Sequence, residues 1–197
     1  MAVQGCSHGE LYSLYEAIFA YRSAKLTPAQ EIYVLLGCGD VQTLRNATDF
    51  HVLSVTDKYK AIGDFHAYHS KRKVTPILTI VIGGNHEASN YLQEVYYGGW
   101  VALNIYYLGA AGVVNVCKRI TAPAGSTRIS SLRIAGNSGI YQAGHYQMGR
   151  YERPTYDRQD LRSVYHTHEV KVRHLQALAI APAVDGNPAV DIMLFHE

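Results

Sequence analysis

Two stretches of this chain are apolar at nearly every position. Ile32-Tyr33-Val34-Leu35-Leu36 stops at Gly37, and Ile77 to Ile82 follows Pro76 and stops at Gly83-Gly84. A strand that leaves no regular place for polar side chains shows water neither face, so both read as buried strands. Between and around them the period changes. Over residues 10–25, Leu11, Leu14, Tyr15, Ile18 and Phe19 fall at the i, i+3, i+4, i+7 and i+8 positions of one helical face. Alternation of buried strands with amphipathic helices predicts an α/β fold, with mixed sheets around one core.

The remaining elements read less strongly. Ala2-Val3-Gln4 starts a short strand that ends at Gly5, and residues 58–69 read as a weak helix. Shorter strands are expected at 104–108, 113–118 and 129–135. Residues 158–179 look helical, and Val190 to Phe195 reads as a last strand. Thr121 to Thr127 is rich in turn formers and reads as a hairpin loop between two strands. With 197 residues and no repeats or low-complexity tracts, 1–197 reads as one domain. No apolar run approaches the roughly 18 residues of a membrane span, and the N-terminus lacks the pattern of a signal peptide. Cys6, Cys38 and Cys117 form no C-x-x-C pair and read as unpaired thiols, which places the chain in the cytosol or nucleus. A net charge of +2 neither requires nor excludes nucleic acid.

The residues just past each strand are more informative. The first strand leads into Gly5-Cys6-Ser7-His8-Gly9, the second into Gly37-Cys38-Gly39-Asp40, the third into Gly83-Gly84-Asn85-His86-Glu87, and the last into His196-Glu197. In α/β sheets ligands collect beyond the carboxyl ends of the strands. Thiolate, imidazole, carboxylate and amide oxygen together suit borderline divalent metals such as Zn, Fe or Mn. Taken singly, each residue has a plainer reading: Asp40 as a helix cap, Cys6 as a small buried hydrophobe, the histidines as solvated loop residues. Their joint occurrence at four strand ends favours a metal site.

The series G-x-x-H-G, G-D and G-N-H-E resembles the calcineurin-like metallophosphoesterases. Cys6 in place of the usual first Asp points, within them, to the lariat debranching enzymes. So do the stretches Ile82-Gly83-Gly84-Asn85-His86-Glu87-Ala88-Ser89-Asn90, Gly98-Gly99-Trp100-Val101-Ala102 and Gly136-Asn137-Ser138-Gly139-Ile140-Tyr141. The resemblance implies a β-sandwich flanked by helices, incomplete at its C-terminal end, because the family's downstream H-x-H motif is absent here. It implies hydrolysis of the 2′,5′-phosphodiester of excised intron lariats, in the nucleus, with one or two divalent ions (Fe²⁺, Zn²⁺ or Mn²⁺). Cys6, His8 and Asp40 would hold one ion, and Asp40, Asn85 and His196 the second, with a frayed His196. His86 would be the general acid. Glu87 reads as a surface acid or, alternatively, as a residue that helps orient His86, and Trp100 as a structural anchor. Two other readings stay open: a homologue that binds branched RNA without cutting it, and a metallophosphoesterase acting on another phosphoester.

The resemblance implies an RNA-recognition loop at about 137–166; from the residues alone the segment also reads as a loop whose tyrosines pack on the domain, with its arginines solvated or paired with Glu152, Asp157 and Asp160. Tyr141, Tyr146, Tyr151 and Tyr156 recur every five residues, a spacing of neither helix nor strand, and Gly144, Gly149 and Pro154 break up the segment. Aromatic rings stack on bases, and Arg forks clamp phosphates. With the resemblance, RNA contacts are expected from Tyr141, His145, Tyr146, Arg150, Tyr151 and Arg162, and the partner is branched (lariat) intron RNA. Lys58, Lys60, Lys71, Arg72 and Lys73 form a second basic stretch, expected mainly as a solvated helix end.

Overall fold

The computed structural model describes residues 1–27, 30–121, 126–181 and 189–197. A five-stranded sheet has the order β1 (Ala2–Gln4), β2 (Val34–Gly37), β3 (Leu78–Val81), β5 (Ile105–Tyr107), β4 (Gly99–Ala102). Its first three strands and β5 pair in parallel, while β4 runs antiparallel to β5. A three-stranded sheet has the order β10 (Ile192–Leu194), β7 (Thr127–Asn137), β6 (Ala111–Thr121). Two short strands, β8 (Ile140–Tyr141) and β9 (His166–Thr167), form a third.

The two apolar runs lie in the middle of the larger sheet, as a strand without polar positions must. All four residues of β2 are buried. Val34, Leu36, Ile80 and Ile82 on one face meet Leu108, Ile134 and Leu194, so the two larger sheets share a core. The opposite face packs on α1 (Leu11–Lys25), where Leu11, Tyr15 and Ile18 are buried. Each fully buried side chain of this size contributes about 1.5–3 kcal/mol. Phe19, expected on that face, is 41% exposed.

Several expected elements differ. Residues 58–69 do not form one helix: a 3-10 turn covers Asp57–Tyr59, Gly63 takes a positive φ of 59°, and α2 spans only Phe65–His69. The stretch 158–179 divides into α5 (Asp160–Ser163) and α6 (Glu169–Ala179). Between them Ile140 and Tyr141 recruit His166 and Thr167 into a parallel pair, a long-range contact that local periodicity does not register. β4, β8 and β9 are not apparent from the sequence pattern because they are short and lie in no apolar run of the kind that marks β2 and β3. α3 spans Ser89–Glu94, and α4, Ala143–Tyr146, lies inside the segment read as irregular. The expected hairpin is present in its strands, which pair from Ala111↔Asn137 to Thr121↔Thr127. Its turn at 122–125 lies outside the described residues. No helix among them is long and apolar enough to cross a membrane, and the three cysteines are free thiols.

Candidate metal centre

Parallel pairing of β1, β2 and β3 brings their carboxyl ends to one edge of the sheet, so the loops beyond them must meet there. Asp40 is the hub. It is 2% exposed and held in the left-handed region, with φ 52°. An Asp tolerates that conformation better than most residues, yet it is strained backbone of the kind that collects at functional sites. His8 shares the feature, with φ 44°. The two loops are tied where they cross, because the His8 N–H donates to the Asp40 carbonyl at 2.8 Å.

One ligand atom each from Cys6, His8 and Asp40 lies within 4.8 Å of the others. Metal–ligand bonds of about 2.0–2.3 Å put two ligand atoms at most about 4.6 Å apart, so the three need draw in by only a few tenths of an ångström to share one cation. Their electrostatics call for a positive charge. Burial raises the Cys6 thiol's pKa, and the neighbouring Asp40 carboxylate raises it further. A thiolate and a carboxylate this close repel unless a cation lies between them. Around Asp40 the expected general acid, His86, and one further expected ligand, His196, also gather. His86 Nδ1 lies 3.1 Å and His196 Nε2 3.5 Å from Asp40 Oδ2. The His86 backbone N–H donates to Asp40 Oδ1 at 2.9 Å. Burial alone would raise the Asp40 carboxyl; the His196 ring and the His86 N–H outweigh it and hold the group below its ordinary value. His196 moves the other way, raised chiefly by Asp40 against the effect of burial.

His196 is not frayed. Its side chain is 5% exposed, and its ring nitrogen Nδ1 lies 2.7 Å from the Cys38 carbonyl. β10 pairs in parallel with β7 through Leu194↔Gly136, which carries the residue into the site. Asn85 is half-buried on the same loop as His86, and no hydrogen bond of its amide occurs among the described residues. Space for these groups comes from glycine. A Cβ on Gly84 would fall on Asp40 Oδ1 and 2.8 Å from His196 Nε2, and one on Gly39 would lie 2.5 Å from His196 Nδ1.

Glu87 overturns the surface-acid reading. It is 2% exposed. Its carboxylate accepts from Val41 N at 2.8 Å, Thr43 N at 3.0 Å, Thr43 Oγ1 at 3.1 Å and Gly84 N at 3.3 Å. It therefore clamps the loop after β2 to the loop after β3, directly behind Asp40. Burial raises its pKa to about 7, against its N–H donors and with the Asp40 charge adding. Its place next to His86 in the sequence was the only signal available. The partners that make it a clamp lie more than forty residues away.

The expected RNA residues do not form one surface. Tyr141 and Tyr146 rings lie 5.6 Å apart, His145 and Tyr151 6.3 Å. This aromatic group is anchored to the metal loop, since Gly139 N donates to Gly83 O at 2.8 Å. Arg150 instead lies over the Tyr96 ring at 5.2 Å, and Arg162 lines a separate groove. The sequence's own H-x-H, His166-Thr167-His168, does not join the metal ligands. His166 Nδ1 pairs with His145 Nδ1 at 3.0 Å, and burial followed by the charges of its neighbours pushes its pKa down to about 4. The basic stretch is dispersed, with Lys60 paired to Asp57 at 2.9 Å and Lys73 over the Tyr12 ring. Trp100 is not an interior anchor. It is 61% exposed, its ring edge-on to Tyr106.

This ligand geometry sits in a chain that matches known proteins along its whole length. It is 44% identical over 197 residues to the lariat debranching enzyme of Drosophila melanogaster, covering all of this chain and 32% of that protein. The Schizosaccharomyces pombe lariat debranching enzyme is 44% identical and covered to 36%; the human one is 41% identical and covered to 32%. Over its whole length the chain is similar to lariat debranching enzymes. It spans about a third of the length of the curated relatives it matches. No family model matches the chain.

Proposed function

We propose that this chain forms the metal centre and an RNA-facing surface of a divalent-metal-dependent RNA 2′,5′-phosphodiesterase, a nuclear hydrolase that linearises excised intron lariats. The observation that carries the reading is the meeting of Cys6, His8 and Asp40 within 4.8 Å at the ends of adjacent strands. Similarity to lariat debranching enzymes along the entire chain supports it. Two sheets sharing a core, with helices outside, agree with a calcineurin-like sandwich as the finer fold.

Cys6, His8 and Asp40 would hold one ion, and Asp40, Asn85 and His196 a second. The mixed sulfur, nitrogen and oxygen set favours Fe²⁺, Zn²⁺ or Mn²⁺ over Mg²⁺. A bound divalent ion would stabilise charge on the phosphodiester oxygens and make a water acidic enough to attack near neutral pH. The protein's residues supply the rest. Asp40 faces His86 Nδ1 at 3.1 Å, which turns Nε2 outward as the donor of a proton to the departing ribose oxygen. Such a donor is typically worth about 10²–10⁴-fold. Glu87 holds the two ligand loops in register behind Asp40. Tyr141, His145, Tyr146 and Tyr151 offer rings beside the metal loop for an unstacked branch nucleotide.

The test uses a short, end-labelled RNA with one 2′,5′ branch, incubated with the protein loaded with Mn²⁺, Zn²⁺ or Fe²⁺. Release of the 2′ arm, abolished by EDTA and by His86→Ala, is the expected result. A branch that remains intact with every metal, in protein shown to bind that metal, overturns the reading.

A further inference from the structure

A groove of about 650 Å³ lies apart from the ligand cluster, between the segment 51–60 and the loop 156–162. Its two walls come from parts of the chain about a hundred residues apart. His51, Asp57 and Lys60 stand on one side; Arg158 and Arg162 stand on the other. Asp57 pairs with Lys60 at 2.9 Å but is 95% exposed, so it points out to water. Asp157, the second carboxylate of the lining, is occupied locally. It accepts from Gln159 N at 2.6 Å and Asp160 N at 2.8 Å. Arg158 and Arg162 are both exposed, and neither guanidinium has a hydrogen bond or a carboxylate within ion-pair distance among the described residues. Lys60, and after it the Arg158 charge, lower the Asp57 carboxyl's pKa; neither arginine side chain is hydrogen-bonded among the described residues, and both guanidinium forks face the same groove as Lys60.

The groove's position matters as much as its charge. Beyond Lys60 the chain runs to Gly63, packed against Gly9, and Asp64 N donates to Gly9 O at 2.9 Å. Gly9 comes directly after the ligand His8. Beyond Arg162 the chain runs to Tyr165, whose carbonyl touches Gly139, and Gly139 N donates to Gly83 O at 2.8 Å. Gly83 opens the loop that carries Asn85 and His86. The two walls are therefore rooted on the two loops that flank the metal centre.

We propose that this groove takes the phosphodiester backbone of one single-stranded RNA arm leaving the branch nucleotide. The inference rests on the debranching reading for the identity of its ligand. Arg forks grip phosphate oxygens in pairs whatever the base, so the site would read the presence and length of an arm rather than its sequence. A volume within the range of about 300–1,000 Å³ typical of ligand sites leaves room for a piece of backbone.

The test is fluorescence anisotropy in EDTA, where no cleavage occurs, with two branched RNAs: one with single-nucleotide arms, the other with six-nucleotide arms. Wild-type protein is expected to bind the long-armed RNA at least tenfold tighter. Arg158→Ala with Arg162→Ala should collapse that ratio. It should also flatten the salt dependence for the long-armed RNA by about 1.4 in log–log slope, at about 0.7 per phosphate contact on a single strand. Retention of the ratio in the double variant overturns the proposal, as does equal loss on both RNAs, which would assign the arginines to the branch itself. An acidic peptide that displaces the long-armed RNA at equal concentration would also overturn it. The two readings fail separately. Cleavage of the branch with no dependence on arm length removes only the groove. An arm-length ratio carried by the arginines, without cleavage, removes only the debranching activity.

Discussion

Gly84→Ala isolates the metal centre's steric tolerance. Gly84 does not have a positive φ, so alanine meets no backbone strain there and the perturbation is crowding alone. The added Cβ would land on Asp40 Oδ1, 2.7 Å from Asp40 N and 2.8 Å from His196 Nε2. Contacts under about 3 Å are not sustained, and a backbone nitrogen cannot swing aside as a side-chain end can. Overpacking of this kind costs about 1–3 kcal/mol. Without metal, the Asp40 carboxylate can relieve part of it by turning away. That lowers Tm by at most about 2–4 °C per kcal/mol for a chain of this length. With metal, Asp40 and His196 must return to the crowded positions, so the cost appears in affinity. One to three kcal/mol corresponds to about 5–150-fold weaker binding. The assay is Co²⁺ titration, tracked by the absorption of the cobalt–thiolate bond to Cys6 and the d–d bands, with thermal melts of both forms. Gly5→Ala is the control: it adjoins Cys6, yet nothing lies within 4 Å of its added Cβ, and both readouts should match wild type. Wild-type Co²⁺ affinity in Gly84→Ala would refute the close packing of Asp40, His196 and the loop after β3.

Three further outcomes are expected. Cys6→Ala should weaken Zn²⁺ or Co²⁺ binding at least tenfold and abolish the cobalt–thiolate band while Tm of the metal-free protein stays within a few degrees, since Cys6 is exposed; unchanged metal content by mass spectrometry would remove it from the ligand set. His86→Ala should lower branch cleavage about 10²–10⁴-fold with metal content retained; loss of metal would make His86 a ligand. Lys171 is a buried ammonium that donates to the His166 carbonyl at 2.8 Å, and burial, then the Arg150 charge, lowers its pKa from 10.5 to about 8. Between those values the unfolded chain binds the extra proton, so the lysine's penalty is full below about pH 8 and is relieved as pH rises toward 10.5. The stability difference between wild type and Lys171→Met, from urea melts, should therefore shift toward wild type over that window, by at most about 3 kcal/mol. A flat difference would place Lys171 in water.

The residue types of the candidate metal centre were legible in the sequence, and so was their order. Cys6, His8, Asp40, Asn85, His86 and His196 each lie just past a strand that local pattern reveals. The clearest of these, β2 and β3, are apolar runs cut off by glycine. Local signals work there because burial on both faces leaves a composition no other element shares. The same logic fails at Glu87, Trp100 and 158–179. An acid in a loop has no local mark of burial; only the amides of Val41, Thr43 and Gly84 converging on Glu87 make its interior position tolerable. Trp100 lies on β4 at the sheet's edge, where its ring is left in water. Nor could spacing show that Arg150 and Arg162 leave the aromatic group they accompany in the chain.

On its own, the amino-acid sequence settled which strands are interior and which chemically active side chains end them, because hydrophobic period and glycine stops act over a few residues. Tertiary structure decided how close those side chains come. Strand pairing set Asp40 at the centre of Cys6, His8, His86 and His196, buried Glu87 behind it, and turned Arg158 and Arg162 toward Lys60 across a separate groove. Such approaches depend on contacts between residues tens to more than a hundred positions apart, and a linear pattern carries no distance between them.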